Sequence, residues 1–250
     1  MNFKFKLWLA LTITGFIGVA SLLFSQIPID NVPKQVVDSM SPETLRLLLL
    51  INPALLVMVF TTIGILLYDK VKLSVPIFEK MLGKSNYVSF SGKKILVQGI
   101  LLGSVAGIFM GVITKLFHPY LPLELTANKE VELNVITKLL YGGVTEELLM
   151  HFGLMTLFAW ILFKITKKLN ATLYWIAIVL AALLFGLGHL PIVFQLIAEP
   201  TLMTYVYIIF ANSIGGVIFG YAYYKRGLEC AIIVHAFAHL VMISLDWFIG

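Results

Sequence analysis

The sequence predicts an all-α, polytopic membrane bundle of about seven transmembrane helices, and three observations predict it. Of the 250 residues, 60% are hydrophobic and 12% charged, with mean hydropathy +0.96, a balance too apolar for a water-soluble domain. Apolar runs near the twenty residues that a bilayer core demands recur at 7–24, 47–67, 95–117, 135–163, 172–190, 203–224 and 228–249. Period-two alternation is absent, so helices are expected rather than a membrane barrel. The chain reads as one integral membrane domain, 1–250, without internal repeats.

Lys4 and Lys6 precede the first run. No small-x-small cleavage site follows Phe24, and Ser25-Gln-Ile-Pro-Ile-Asp30 reads as a turn, so this run is expected to be an uncleaved signal anchor. Ser41-Pro42-Glu43-Thr44 has the form of a helix start entering the second run, which Asn52-Pro53 should kink or fray near one end. Residues 69–94 carry six lysines and suit either an amphipathic excursion on anionic headgroups or a solvated loop. In the third run Gly99, Gly103, Gly107 and Gly111 form a small stripe that lets another helix approach closely. The sixth holds Asn212, Ser213, Gly215, Gly216 and Gly220, a face fit for a cavity border or for tight packing with Asn212 bonded to a neighbour.

With the N-terminus cytoplasmic, 13 of the 18 basic residues fall on inner segments: Lys4, Lys6, Lys70, Lys72, Lys80, Lys84, Lys93, Lys94, Lys164, Lys167, Lys168, Lys225 and Arg226. The outer segments hold Asp30, Asp38, Glu43, Glu124, Glu130, Glu132 and Glu199. The positive-inside bias thus accounts for the net charge of +5, which carries no sign of nucleic acid. Cys230 is the sole cysteine, which excludes an internal disulfide. A compact seven-span chain without eukaryotic sorting signals points to a bacterial plasma membrane.

Chemistry concentrates in Glu146-Glu147-Leu-Leu-Met-His151, inside the apolar run from Leu139 to Phe163. A charge at mid-bilayer costs about 2.5–3.5 kcal/mol on insertion scales, so these carboxylates either serve a function or lock one helix to its neighbours, as the i,i+4 spacing of Glu147 and His151 allows. Four of the five histidines, His151, His189, His235 and His239, lie in or at the edge of spans, while His118 sits in an outer loop. They form a cluster only if spans four, five and seven are neighbours. Glu146 and His189 each lie 17 residues from the inner end of their spans, about 25 Å at the α-helical rise. His235 and His239 come 7 and 11 residues after Leu228, roughly 10 and 16 Å by the same rise, so convergence needs tilt, a deeper start to span seven, or shifted boundaries. By residue type alone, His235 and His239 at i,i+4, with His189 and Glu146 or Glu147, read as a tetrahedral zinc site.

Glu146-Glu147-Leu-Leu-Met-His151, Phe185-Gly-Leu-Gly-His189 and His235-Ala-Phe-Ala-His239 together resemble the three ordered motifs of the CAAX-protease and bacteriocin-processing (CPBP) family of intramembrane proteases. The resemblance covers roughly residues 135–245. It implies an intramembrane endopeptidase without a cofactor, in which Glu146 activates water, His189 helps to bind or polarise it, His235 stabilises the oxyanion, Glu147 orients its neighbours and Phe185 supports the site. His151 stands where the family has arginine, and His239 where it usually has asparagine. The substrate implied is a membrane-associated peptide or protein; prenylated CAAX tails, secreted or signalling peptides and bacteriocin self-immunity are all within the family's range. Three alternatives stand beside this reading: a zinc-dependent hydrolase using His189, His235 and His239, a non-catalytic interaction or immunity protein, and a proton-relaying transporter, for which no inverted repeat is visible.

Overall fold

Among the described residues, seven helices are long and apolar enough to cross a membrane: Phe3–Phe24, Pro42–Val71, Gly92–Tyr120, Val135–Thr166, Ala171–Gln195, Leu202–Arg226 and Leu228–Phe248. Each takes in the body of one expected run, and no strand occurs among the described residues, so the expected fold class is the observed one. The computed structural model describes residues 2–25, 35, 39–84, 91–126, 134–197 and 199–249. The acids Asp30, Asp38, Glu130 and Glu132, and the turn expected after Ser25, lie outside them.

Side-chain caps set several helix starts. Asn2 accepts from the Phe5 N–H at 2.8 Å, Ser41 from Thr44 at 3.2 Å and Asn170 from Leu173 at 2.9 Å, while Thr201 and Thr204 form a reciprocal capping box. The second span breaks at Leu50, between Pro42–Leu49 and Ile51–Leu67. Pro53 explains the break, because it has no N–H for the carbonyl four residues back and its ring crowds that carbonyl.

The fourth span is the hub. It touches spans one, two, five, six and seven, and from Lys138 to Met155 it is π-helical, closing i→i+5 hydrogen bonds. Small residues admit the neighbours: a Cβ added at Gly143 would meet the Ala236 Cβ at 2.9 Å, and one at Gly153 would meet the Phe60 Cβ at 2.5 Å.

The glycine stripe of span three packs against span seven. A Cβ at Gly103 would stand 2.7 Å from the Val234 carbonyl oxygen, and one at Gly107 equally close to that of Ala238. Backbone cannot retreat as a side chain can. Gly103→Leu is expected to cost about 1–3 kcal/mol, the range for overpacking, read as a lowered unfolding midpoint in detergent; an unchanged midpoint would contradict the close approach.

Part of the lysine-rich segment turns inward instead of lying on headgroups or in solvent. Leu73, Val75 and Pro76 are buried, and the short helix Pro76–Met81 is capped by Glu229, whose carboxylate accepts from the Ile77 and Phe78 N–H groups at 2.8 and 2.9 Å. The Leu228 N–H donates to the Ser74 carbonyl at 3.1 Å, and Gly227, at φ 95°, lies against Pro76. Leu228, the first residue of span seven, is fully buried beside this plug. His235 does reach span four, with Nδ1 2.8 Å from a Glu147 oxygen, so the expected depth mismatch does not prevent convergence. Glu229→Ala would leave two backbone donors without their acceptor and is expected to destabilise the fold by about 1–3 kcal/mol, with faster proteolysis of residues 72–84; Glu229→Gln, which keeps an acceptor, should cost less.

Candidate active site

Glu147 points into the bundle, where its side chain is 1% exposed. One carboxylate oxygen lies 2.8 Å from His235 Nδ1 and the other 2.7 Å from His151 Nδ1, the latter off the hydrogen-bonding direction, as expected for two side chains four residues apart on one helix. His151 Nε2 lies 2.9 Å from the Gly216 carbonyl oxygen. A carbonyl only accepts, so Nε2 carries hydrogen. In a neutral ring Nδ1 would then be a lone pair facing a carboxylate oxygen. The contact therefore needs a further proton between His151 and Glu147. Glycines make the room: a Cβ at Gly220 would be 3.1 Å from the His151 ring.

His235 sits in an aromatic cage. Phe219 stacks on it at 4.1 Å between centroids, His239 stacks at 4.9 Å, and Phe185 meets it edge-on at 5.9 Å. Its Nε2 is 3.9 Å from a Glu146 oxygen, close but beyond a hydrogen bond. His189 Nδ1 donates to the Phe185 carbonyl at 2.8 Å, which in the neutral ring leaves Nε2 as the free lone pair.

A cavity of about 220 Å³ gathers these groups. Glu146, His189, His235 and His239 line it with Phe185, whereas Glu147 and His151 are buried behind its wall. That volume is large enough for several waters, with the carboxylate and imidazoles as polar partners. The two adjacent carboxylates thus differ in placement: Glu146 faces the space where a substrate would lie, and Glu147 grips the ring of His235 from the far side. His118 closes span three in a terminal turn and takes no part.

Sequence reasoning overlooked other lining residues: Met110, Lys138, Gly142, Phe219, Ala238 and Met242. Lys138 left a signal, since it is an ionisable residue inside a span; Met110 and Phe219 left none. Span three, read from its glycine stripe as a packing helix, also contributes Met110 to the cavity. Asn212 borders the cavity while its Nδ2 donates to Ile208 of its own helix at 2.8 Å.

The zinc alternative draws on His189, His235 and His239, with Glu146 or Glu147. Among the described residues no three His, Cys, Asp or Glu side chains gather as a metal-holding group, and the rings of His235 and His239 stack at 4.9 Å between centroids.

Fold and site together define an integral membrane protein with a glutamate–histidine centre enclosed by its spanning helices. Residues 129–241, just under half of the chain, match the model of the Rce1-like type II CAAX prenyl endopeptidase family, which bears out the resemblance read from the three motifs. That family is one of proteases. No curated protein and no solved structure matches the chain.

Proposed function

We propose that the protein is an intramembrane endopeptidase that cleaves a peptide bond of a membrane-associated protein or peptide with water activated by Glu146, from a bacterial plasma membrane in which its N-terminus is cytoplasmic. The observation that carries this reading is the shared cavity: Glu146, His189 and His235 line one space within spanning helices while Glu147 is withdrawn from it.

The chemistry follows from those positions. Glu146 takes a proton from water as the oxygen attacks the peptide carbonyl, with the His189 Nε2 lone pair accepting the water's other hydrogen. Attack moves the carbonyl electron pair onto oxygen. His235 Nδ1 faces an acceptor, Glu147, so Nδ1 holds hydrogen; with Nε2 also protonated, the ring presents a donor to the oxyanion while the carboxylate behind it balances its charge. Collapse of the tetrahedral intermediate breaks the C–N bond, and Glu146 returns its proton to the leaving amine. His239 supplies a ring N–H where the family usually has an amide. His151, with a proton toward Glu147, takes the place of the family's arginine.

Purified protein in detergent, offered a library of membrane peptides that includes farnesylated CAAX-type tails, should release products detectable by mass spectrometry, and Glu146→Gln should release none. Failure of the wild type under conditions in which a fully matching family member cleaves would end this reading.

A further inference from the structure

Successive spans alternate in direction, so the bundle has two ends, and contacts between distant spans identify them. One end carries the plug: Lys4 pairs with Asp69 at 2.8 Å, the Tyr174 hydroxyl donates to the Val71 carbonyl at 2.7 Å, and Leu228 joins Ser74. At the other end Ser25 donates to Thr137 at 2.8 Å, and the hydroxyls of Thr114 and Tyr207 share a hydrogen bond at 2.9 Å. The cavity lies off centre, toward the end without the plug. Glu146 is 11 residues from that end of its span and 20 from the plug end, His189 is 6 and 18, and Met242 is 6 and 14. These three side chains are partly exposed, as is Asn212, whereas Phe219 and His235, each 7 residues from the plug end of its span, are buried and form the floor.

Below that floor the interior is closed. The Phe219 ring meets His151 edge-on at 6.4 Å, Phe152 beside it packs on Tyr68 at 5.9 Å and on Tyr223 at 6.5 Å, and Thr156 bonds the Tyr223 hydroxyl at 3.0 Å. His151, Phe152, Thr156, Tyr68 and Tyr223 are at most 1% exposed. An interior packed at this density leaves no path for a peptide, whose backbone polar groups would also lose their hydrogen bonds there. From the opposite end the 11 residues to Glu146 amount to about 16 Å at the α-helical rise, a depth that about five extended residues span. The plug end is also the end with 13 of the 18 basic residues, the side that the positive-inside bias assigns to the cytoplasm.

We propose that the cavity opens on the non-cytoplasmic face and takes its substrate there, a translocated peptide segment held at the outer leaflet, an inference that rests on the endopeptidase reading and the orientation stated with it. Apolar Met110, Phe185 and Met242 in the lining suit uncharged side chains on that segment. A tail anchored in the cytoplasmic leaflet meets the plug. Of the substrates within the family's range, secreted or signalling peptides fit this opening, and prenylated tails of cytoplasmic proteins do not.

The test labels the full chain in bacterial membranes with a small, cationic, membrane-impermeant thiosulfonate. Asn212→Cys and Met242→Cys report on the cavity, Lys168→Cys on the plug end and Glu199→Cys on the opposite end, each combined with Cys230→Ala. Sealed spheroplasts present the outer face and sealed inverted vesicles the cytoplasmic face. Both cavity cysteines should label at least tenfold faster in spheroplasts, as Glu199→Cys does, with Lys168→Cys showing the reverse. Wild-type Cys230, buried at the plug end, should label in neither. Rates are compared within each variant, so a smaller folded fraction does not imitate the effect. Cavity labelling that is faster in inverted vesicles, equal from both sides or absent from both overturns the inference, as does labelling of Cys230 in inverted vesicles. Membrane peptides bearing a sulfonated fluorophore, which keeps them from crossing, are then added to the same preparations of the wild type. Cleavage in spheroplasts that Glu146→Gln abolishes supports the inference, and cleavage in inverted vesicles overturns it. Cavity labelling from the outer face without cleavage of any peptide would remove the protease reading and leave the opening in place.

Discussion

Glu146→Gln is expected to lower kcat for peptide hydrolysis by about 10²–10⁴-fold, the contribution of a positioned general base, while the protein stays folded. The exchange keeps the shape of the side chain and removes its capacity to take a proton. Folding should tolerate it because the Glu146 side chain is 20% exposed and its contact with His235 Nε2, at 3.9 Å, is too long for a hydrogen bond. Peptide cleavage and the unfolding midpoint, measured on one preparation, separate the two effects. A Glu146→Gln protein that cleaves at the wild-type rate would mean that the base lies elsewhere. Loss of cleavage together with collapse of the midpoint would mean that Glu146 is part of the scaffold.

The second large effect falls on stability. His151→Leu should destabilise the protein by about 3–5 kcal/mol, the cost of removing one partner from a buried charged pair. The substitution leaves a Glu147 oxygen without its neighbour at 2.7 Å and the Gly216 carbonyl without its donor, both in the interior. Adding Glu147→Gln should recover part of that loss, because an amide carries no charge to strand. The pair is therefore expected to be strongly non-additive in a double-mutant cycle followed by denaturant unfolding in detergent. A His151→Leu midpoint equal to wild type would show that Glu147 holds no charge in the folded protein. Neighbouring carboxylates thus give opposite phenotypes: substitution at Glu146 removes chemistry, and disruption around Glu147 removes stability.

Much of this was open to sequence reading, and for physical reasons. Hydrocarbon thickness dictates span length, so seven apolar runs announce seven helices without any knowledge of their packing. Acids and histidines inside those runs stand out because few such residues are tolerated there. The stripe from Gly99 to Gly111 signals close approach, although not that the partner is span seven. Three features left no trace in composition or spacing. The π-helical stretch from Lys138 to Met155 changes which residues share a face, and its hydrogen-bond register is not written in residue types. The plug at Leu73–Pro76 is four residues in a segment dominated by lysine, and its burial depends on a cap from Glu229, some 150 residues later. Phe219 stacks on His235 from a helix whose other aromatic residues look no different.

By itself, then, the sequence determined the class of molecule, the number of spans and the short set of ionisable residues from which a site could be built, because each follows from the cost of placing a group in hydrocarbon. Only the tertiary structure decided how the set divides. Glu146 faces the cavity while Glu147 is buried behind it, where it meets His235 of span seven. That division depends on helix register, depth and the direction of each side chain, which contacts between distant parts of the chain set and local sequence does not encode.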